Sequence, residues 1–320
     1  MFVPDDHKEG ERRAAWIVLS GFATTYEFGG GRTEKICKLF ARRGYVAMGF
    51  DYRGFGRSEG KEKRAVDPMK QCEDIESAIT FLQSRPEVDK QRIGLLGRSF
   101  GGTTATYVAA MDDRVAATIA WYSIGDGCRW LKALRNPYEW ELFLKELEED
   151  RYQRVLGGKG RMVDAFHVFK QGGVDSKTNE EDSKLGRMGG EILLESAEKI
   201  MRFKPEKYVH MISPRPILYI HGAIDKAVPV EEALSLYEKT KEPKTLLLLP
   251  TDLFNKTHYE AFNDEEFFIA IFNRVLEWAN ENLPSRPMPS SEGRSLPKLS
   301  AGYESRLYRE ENWLERNSAL

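Results

Sequence analysis

The chain has few cysteines, no long apolar run, no internal repeat and no excess of charge of one sign. Its three cysteines, Cys37, Cys72 and Cys128, are too few for a disulfide framework. They also lack the CxxC or Cys/His spacing that zinc needs, so they are expected to be reduced and buried, with no metal bound. No run approaches the ~18 apolar residues that span a bilayer, and Met1 to Gly10 is polar and acidic with no signal-like core. The expectation is a cytoplasmic protein with no membrane contact. Lys plus Arg (48) nearly cancel Asp plus Glu (50), so no basic field is available to gather nucleic acid or anionic lipid. The same balance favours an uncharged, carbonyl-bearing small molecule as the partner.

What is present describes a globular protein. Hydrophobic residues make up 41% and charged residues 31% of 320, about twice the length of a typical domain of ~150 residues. Short apolar runs bounded by Gly or Pro recur at Ala14–Ser20, Tyr45–Asp51, Arg92–Leu96, Val115–Tyr122, Pro216–His221 and Thr245–Pro250. Strands buried on both faces of a parallel sheet have this pattern. Between them Thr33–Arg43, Asp67–Ser84, Phe100–Met111, Pro229–Thr240 and Asp264–Asn282 carry helical periodicity. Alternation of this kind predicts an α/β fold with right-handed crossovers and an open, doubly wound, mostly parallel sheet.

One segment breaks the alternation. From 123 to 211 there is no strand-like run but there are charged helical stretches, including Glu139–Val155 and Glu191–Met201, which predicts a largely helical insertion over the sheet. The expected organisation is a core in two parts, 1–122 and 212–283, a helical cap at 123–211, and a Pro/Ser-rich linker with a helical tail at 284–320. Cap aromatics such as Trp130, Tyr138, Trp140, Phe143, Tyr152, Phe166 and Phe169 would form the cap's own small core or line a pocket.

The strongest local motif is Gly97-Arg98-Ser99-Phe100-Gly101-Gly102, placed directly after a strand and before a helix. A sharp strand-to-helix turn needs small residues beside its apex and leaves the apical hydroxyl projecting from the strand's carboxyl end. Ser99 is that apex. The glycine-rich stretch Asp51–Gly60 reads as a tight structural loop, with Arg53 and Arg57 placed to hold it through carbonyls. Gly29-Gly30-Gly31 has neither a Walker lysine nor GxGxxG spacing and reads as a flexible loop.

With Ser20-Gly21-Phe22, Asp51–Ser58, the Ser99 turn, His221–Asp225 and His258-Tyr259-Glu260, the chain resembles the α/β-hydrolase superfamily. Within it, the chain is most similar to the dienelactone-hydrolase-like and S15-peptidase-like branch with a helical cap. The resemblance runs from about Ala14 to Leu283. It implies an α/β-hydrolase fold and a serine hydrolase that cleaves a carboxylic ester or related acyl bond. Ser99 would be the nucleophile, Asp225 the acid and His258 the base, in the chain order expected of the fold. Asp252 and, more weakly, Asp126 compete for the acid's place. The backbone N–H groups of Phe22 and Phe100 would form the oxyanion hole. Neither metal nor organic cofactor is implied. Two other functions fit the resemblance, an S15-like aminopeptidase or amide hydrolase and a non-enzymatic ligand-binding protein on the same fold. Phe2–Asp6 resembles the end of an early antiparallel strand with most of its hairpin missing. An edge exposed there would be covered by a second copy in a homodimer or by Tyr303–Asn317.

Overall fold

The computed structural model of the protein describes residues 1–60, 64–170, 190–249 and 265–286, with backbone alone for 28–31 and 265–267. In chain order the core elements are β1 (Arg13–Leu19), α1 (Phe28–Arg42), β2 (Val46–Gly49), α2 (Pro68–Gln83), β3 (Val88–Arg98), α3 (Phe100–Met111) and β4 (Val115–Trp121). The insertion follows, with α4 (Gly127–Ala133), α5 (Pro137–Val155), β5 (Met162–Asp164), α6 (Ala165–Val168), β6 (Glu191–Leu193) and α7 (Glu195–Arg202). The core resumes with β7 (Ile217–Gly222), α8 (Val230–Lys239), β8 (Lys244–Leu249) and α9 (Glu265–Asn282).

The strands pair in parallel in the order β2-β1-β3-β4-β7-β8, so the sheet is continuous across the insertion. All seven residues of β1 are buried, because both of its faces are covered. Ala15, Ile17 and Leu19 join the side chains of α2, α3 and α8 on one face. Trp16 and Val18 join those of α1 and α9 on the other. The Trp16 indole stacks on Phe40 at 5.2 Å between ring centroids. The connection after β1 therefore leaves toward one face and that after β3 toward the other. This opens a crevice at the carboxyl ends of β1 and β3, the place where ligands bind in open α/β sheets.

Several expectations need correction. The Gly29-Gly30-Gly31 run lies in the first turn of α1 rather than in a loop, despite the poor helix propensity of glycine. The insertion contains the antiparallel pair β5 and β6, three residues each, where no strand was expected. The Asp51–Gly60 loop is held by Asp51, which accepts hydrogen bonds from the Tyr26 and Arg57 N–H groups. Arg53 and Arg57 do not reach carbonyls there: Arg53 pairs with Asp74 and Glu73, and Arg57 with Glu27. Cys37 and Cys72 are buried free thiols as expected, but Cys128 is only half-buried. Phe2 makes an antiparallel bridge to Ala47 on the outer edge of β2, so that edge is partly covered. The tail 287–320, including Tyr303–Asn317, lies outside the described residues. Among the described residues no helix is long and apolar enough to cross a membrane.

The insertion is fastened to the core by ions. Arg129, near the start of α4, donates to Glu232 of α8 at 2.7 Å and to Glu206 at 2.7 Å. Glu232, only 1% exposed, also accepts the N–H groups of Gly125 and Asp126. Glu206 further accepts from Ser235 and Lys239. Burial alone would raise the Glu206 carboxyl, but the hydrogen bonds from Arg129, Lys239 and Ser235 outweigh it and hold the group at about 2.

Because that value is depressed on folding, its stabilising contribution is present above the ordinary glutamate value of about 4.5 and is lost as pH falls toward 2. Glu206→Gln is expected to melt below wild type at neutral pH, and the gap should close through this acid window. A gap of constant size from neutral pH to pH 2 would contradict the assignment.

Candidate active site

β3 runs into α3 with Ser99 as the sole linking residue, so the chain must reverse within one position. Ser99 takes φ 53° and ψ −124°, a left-handed conformation that a non-glycine residue adopts only when its surroundings impose it. Its N–H donates to the Trp121 carbonyl at 2.7 Å, which fixes it to the end of β4. The surroundings that impose the turn are backbone. A Cβ on Gly97 would lie 2.1 Å from the Gly101 carbonyl oxygen, and one on Gly101 would lie 2.4 Å from that of Ser20. The N-terminus of α3 can therefore sit directly against the end of β1.

That contact brings the two predicted oxyanion residues together. Gly21 faces the serine: a Cβ there would be 3.3 Å from the Ser99 Cβ and 3.8 Å from its Oγ. The loop is tightened by Thr24, whose hydroxyl donates to the Gly21 carbonyl, and by Ala23 at φ 47°. The Phe22 and Phe100 rings meet edge to face at 6.0 Å. Beneath the turn, the buried Arg98 donates to Thr33, and burial pulls its guanidinium down to about 9.

On the other side of β4, the loop after β7 carries Asp225. Its Oδ1 accepts the N–H groups of Ala227 and Val228 at 2.7 and 2.9 Å, which fixes the carboxylate in a buried turn. His221, fully buried, donates from Nε2 to the Val228 carbonyl at 2.8 Å, so this histidine clamps the Asp225 loop. Tyr122 was not singled out by its sequence, yet it too has a left-handed backbone, at φ 55°. Its ring stands edge to face on His221 at 5.2 Å, and burial, reinforced by the Asp225 charge, raises its phenol. Ser99, Tyr122 and Asp225 thus follow three neighbouring strands, β3, β4 and β7.

Asp126, one of the competitors for the acid's place, has other partners. It caps α4 through the N–H groups of Cys128 and Arg129 and pairs with Lys204 at 2.6 Å. His7 bonds the Glu11 carbonyl, and His167 bonds Glu146. His258 and its neighbour Asp252 lie outside the described residues.

The expected cap aromatics divide. Tyr138 and Tyr152 are exposed, and Phe143 is buried within the insertion. Trp130 and Phe169 instead reach the Ser99 crevice. Trp130 lies 6.2 Å from Phe22 and 6.1 Å from Phe100, and Phe169 lies 5.9 Å from Phe22 and 5.3 Å from Trp130. The Trp130 indole N–H donates to the Ala227 carbonyl, joining this wall to the Asp225 loop. Composition alone could not show which aromatics face the Ser99 turn.

A parallel sheet with a serine at a strained strand-to-helix turn, and a glycine loop facing it, defines an α/β-hydrolase. The family model for X-Pro dipeptidyl-peptidase (S15 family) matches residues 5–254, and the chain belongs to that family. Polyketide transferase grgF of a Penicillium species is 28% identical over 256 residues, covering 78% of this chain and 82% of the relative. The crystal structure of α/β hydrolase GrgF from Penicillium sp. sh18 superposes with a TM-score of 0.69 at 24% identity, covering 88% of this chain and 97% of that one. Thiohydrolase aneE of Aspergillus aculeatus is 28% identical over 226 residues, 65% of this chain and 69% of the relative.

Gly101→Ala forces a side chain into the Ser20 carbonyl, so it is expected to cost about 3 kcal/mol or more of stability. A urea midpoint unchanged from wild type would contradict the close approach.

Proposed function

We propose that the protein is a serine acyl hydrolase acting on esters or thioesters through Ser99. The observation that carries this reading is the Ser99 turn: a left-handed serine at the carboxyl end of β3, with Gly21 in contact with it. A serine hydroxyl is a weak nucleophile at neutral pH and needs a base held by a third group. In this reading Ser99 Oγ attacks the acyl carbon, and His258 takes its proton. Asp225 holds the imidazole in the right tautomer and stabilises its charged form. The carbonyl oxygen becomes an oxyanion that accepts hydrogen bonds from the N–H groups of Phe22 and Phe100, each such donor worth about 3 kcal/mol in the transition state. His258 then gives its proton to the leaving alcohol or thiol. Water, activated in the same way, breaks the acyl-serine bond and restores Ser99.

The kinship with a protein named a thiohydrolase supports thioesters as a substrate class beside oxygen esters. The same tetrahedral intermediate serves lactones, carbamates and amides. The family's printed description suggests a second reading, an aminopeptidase, which would need a carboxylate to hold a substrate ammonium. Among the described residues of the insertion the buried carboxylates are already paired: Asp150 with Arg154, Glu198 with Arg151 and Arg154, and Glu206 with Arg129 and Lys239. That pairing favours the acyl-ester reading. A ligand-binding protein without activity would have no use for the strained serine.

Ser99→Ala is expected to lower hydrolysis of p-nitrophenyl acetate by at least about a thousandfold while the circular dichroism spectrum is preserved. The base must be neutral to accept a proton, so wild-type kcat/KM should fall as pH drops through the histidine value of about 6.5. A folded Ser99→Ala variant with full activity, or a flat profile between about pH 5 and 8, would overturn the proposal.

A further inference from the structure

We propose that Phe169, seated against Phe22 and Trp130, closes the acyl side of the Ser99 site, so that the site takes short acyl groups such as acetyl or propionyl rather than fatty acyl chains. This inference rests on the acyl-hydrolase reading and adds a substrate class to it.

The direction of the acyl group follows from the order of the strands. In the tetrahedral intermediate the leaving group must face the base that protonates it, which leaves both the oxyanion and the acyl substituent to the directions away from that base. In that reading the base lies in the loop after β8. β7 and β8 lie on one side of β3, and β1 lies on the other. The acyl substituent therefore points toward the loop after β1, where Phe22 sits.

On that side the space is filled by rings. Phe22, Phe100, Trp130 and Phe169 are exposed by 6%, 1%, 1% and 2%, and adjacent pairs stand 5.3 to 6.2 Å apart between ring centroids. Interiors packed this way leave no room for added methylenes without moving their neighbours.

The seat of Phe169 is built rather than incidental. Asp164 caps the short helix α6 by accepting the Phe166 N–H, and the Phe169 N–H donates to the Ala165 carbonyl. Arg135, on the far side, donates to the carbonyls of His167 and Val168 at 2.6 and 2.9 Å while its guanidinium lies 3.8 Å over the Phe143 ring. Phe169 thus follows a turn whose carbonyls are clamped, which fixes the backbone that carries its ring against the wall. Truncating it would leave an apolar cavity against Phe22 and Trp130, and such cavities stay dry and take up apolar groups.

The test is a chain-length series. Wild type is expected to lose at least about tenfold in kcat/KM from p-nitrophenyl acetate to p-nitrophenyl octanoate, and Phe169→Ala to raise the octanoate-to-acetate ratio at least about tenfold. Phe169→Leu, which leaves a smaller cavity, should raise the ratio by less and serves where the alanine variant melts early. Wild type that handles octanoate as well as acetate would overturn the proposal, with or without a folded variant. So would a folded variant with the wild-type ratio, or one that changes the preference among alkyl acetates of different alcohol length instead. Failure of the underlying reading looks different: acetate hydrolysis would survive Ser99→Ala whatever the chain length.

Discussion

The close approach of two backbones, the start of α3 against the end of β1, is the constraint on which the rest of the site depends. It is possible only because Gly97 and Gly101 have no side chains. It drives Ser99 into a left-handed conformation that costs roughly 1–3 kcal/mol and persists only because the packed sheet over-determines it. The same approach sets the Gly21 loop beside the serine and directs the first N–H groups of α3 toward the crevice. The positive end of that helix, twelve residues long, favours a developing negative charge there.

A second constraint joins the insertion to the core. The carboxylates Glu206 and Glu232 are buried and are neutralised by Arg129 and Lys239, which reach them from the half-exposed rim, so removing Arg129 would leave two buried carboxylates short of a partner. One residue further along α4, Trp130 bonds the Asp225 loop and packs on Phe22 and Phe100. The position of the insertion and the shape of the crevice are therefore set together. A change in α4 would be felt at the site without touching Ser99.

Much of the fold was legible because burial on both faces writes a plain signal. All six core strands overlap apolar runs, though the run at Arg92–Leu96 covers less than half of β3, and Phe100–Met111 coincides with its helix residue for residue. What escaped was either short or decided by distant contacts. β5 and β6 are too brief for alternation to register. The glycine run at the head of α1 carries a local preference against the helix it joins. The Asp51 loop is held by a carboxylate accepting backbone N–H groups, a role that glycines and arginines nearby do not advertise. At the candidate site, the Ser99 turn and the position of Asp225 in the loop after β7 could be read from motif and strand order. Tyr122 gave no sign, since tyrosine has no preference for the left-handed backbone it adopts. The turn of Trp130 and Phe169 toward Phe22 is a tertiary fact, set by the Arg135 clamp and the bond to Ala227.

The central claim is that Ser99 is an activated nucleophile rather than a hydroxyl at a tight turn. A fluorophosphonate, which reacts covalently with a serine only when a base has made it nucleophilic, tests this most directly. Intact-mass measurement followed by peptide mapping should find one adduct per chain, on Ser99 of the native protein and absent after heat denaturation. A native protein that stays unlabelled, or carries its label on another residue, would contradict the account.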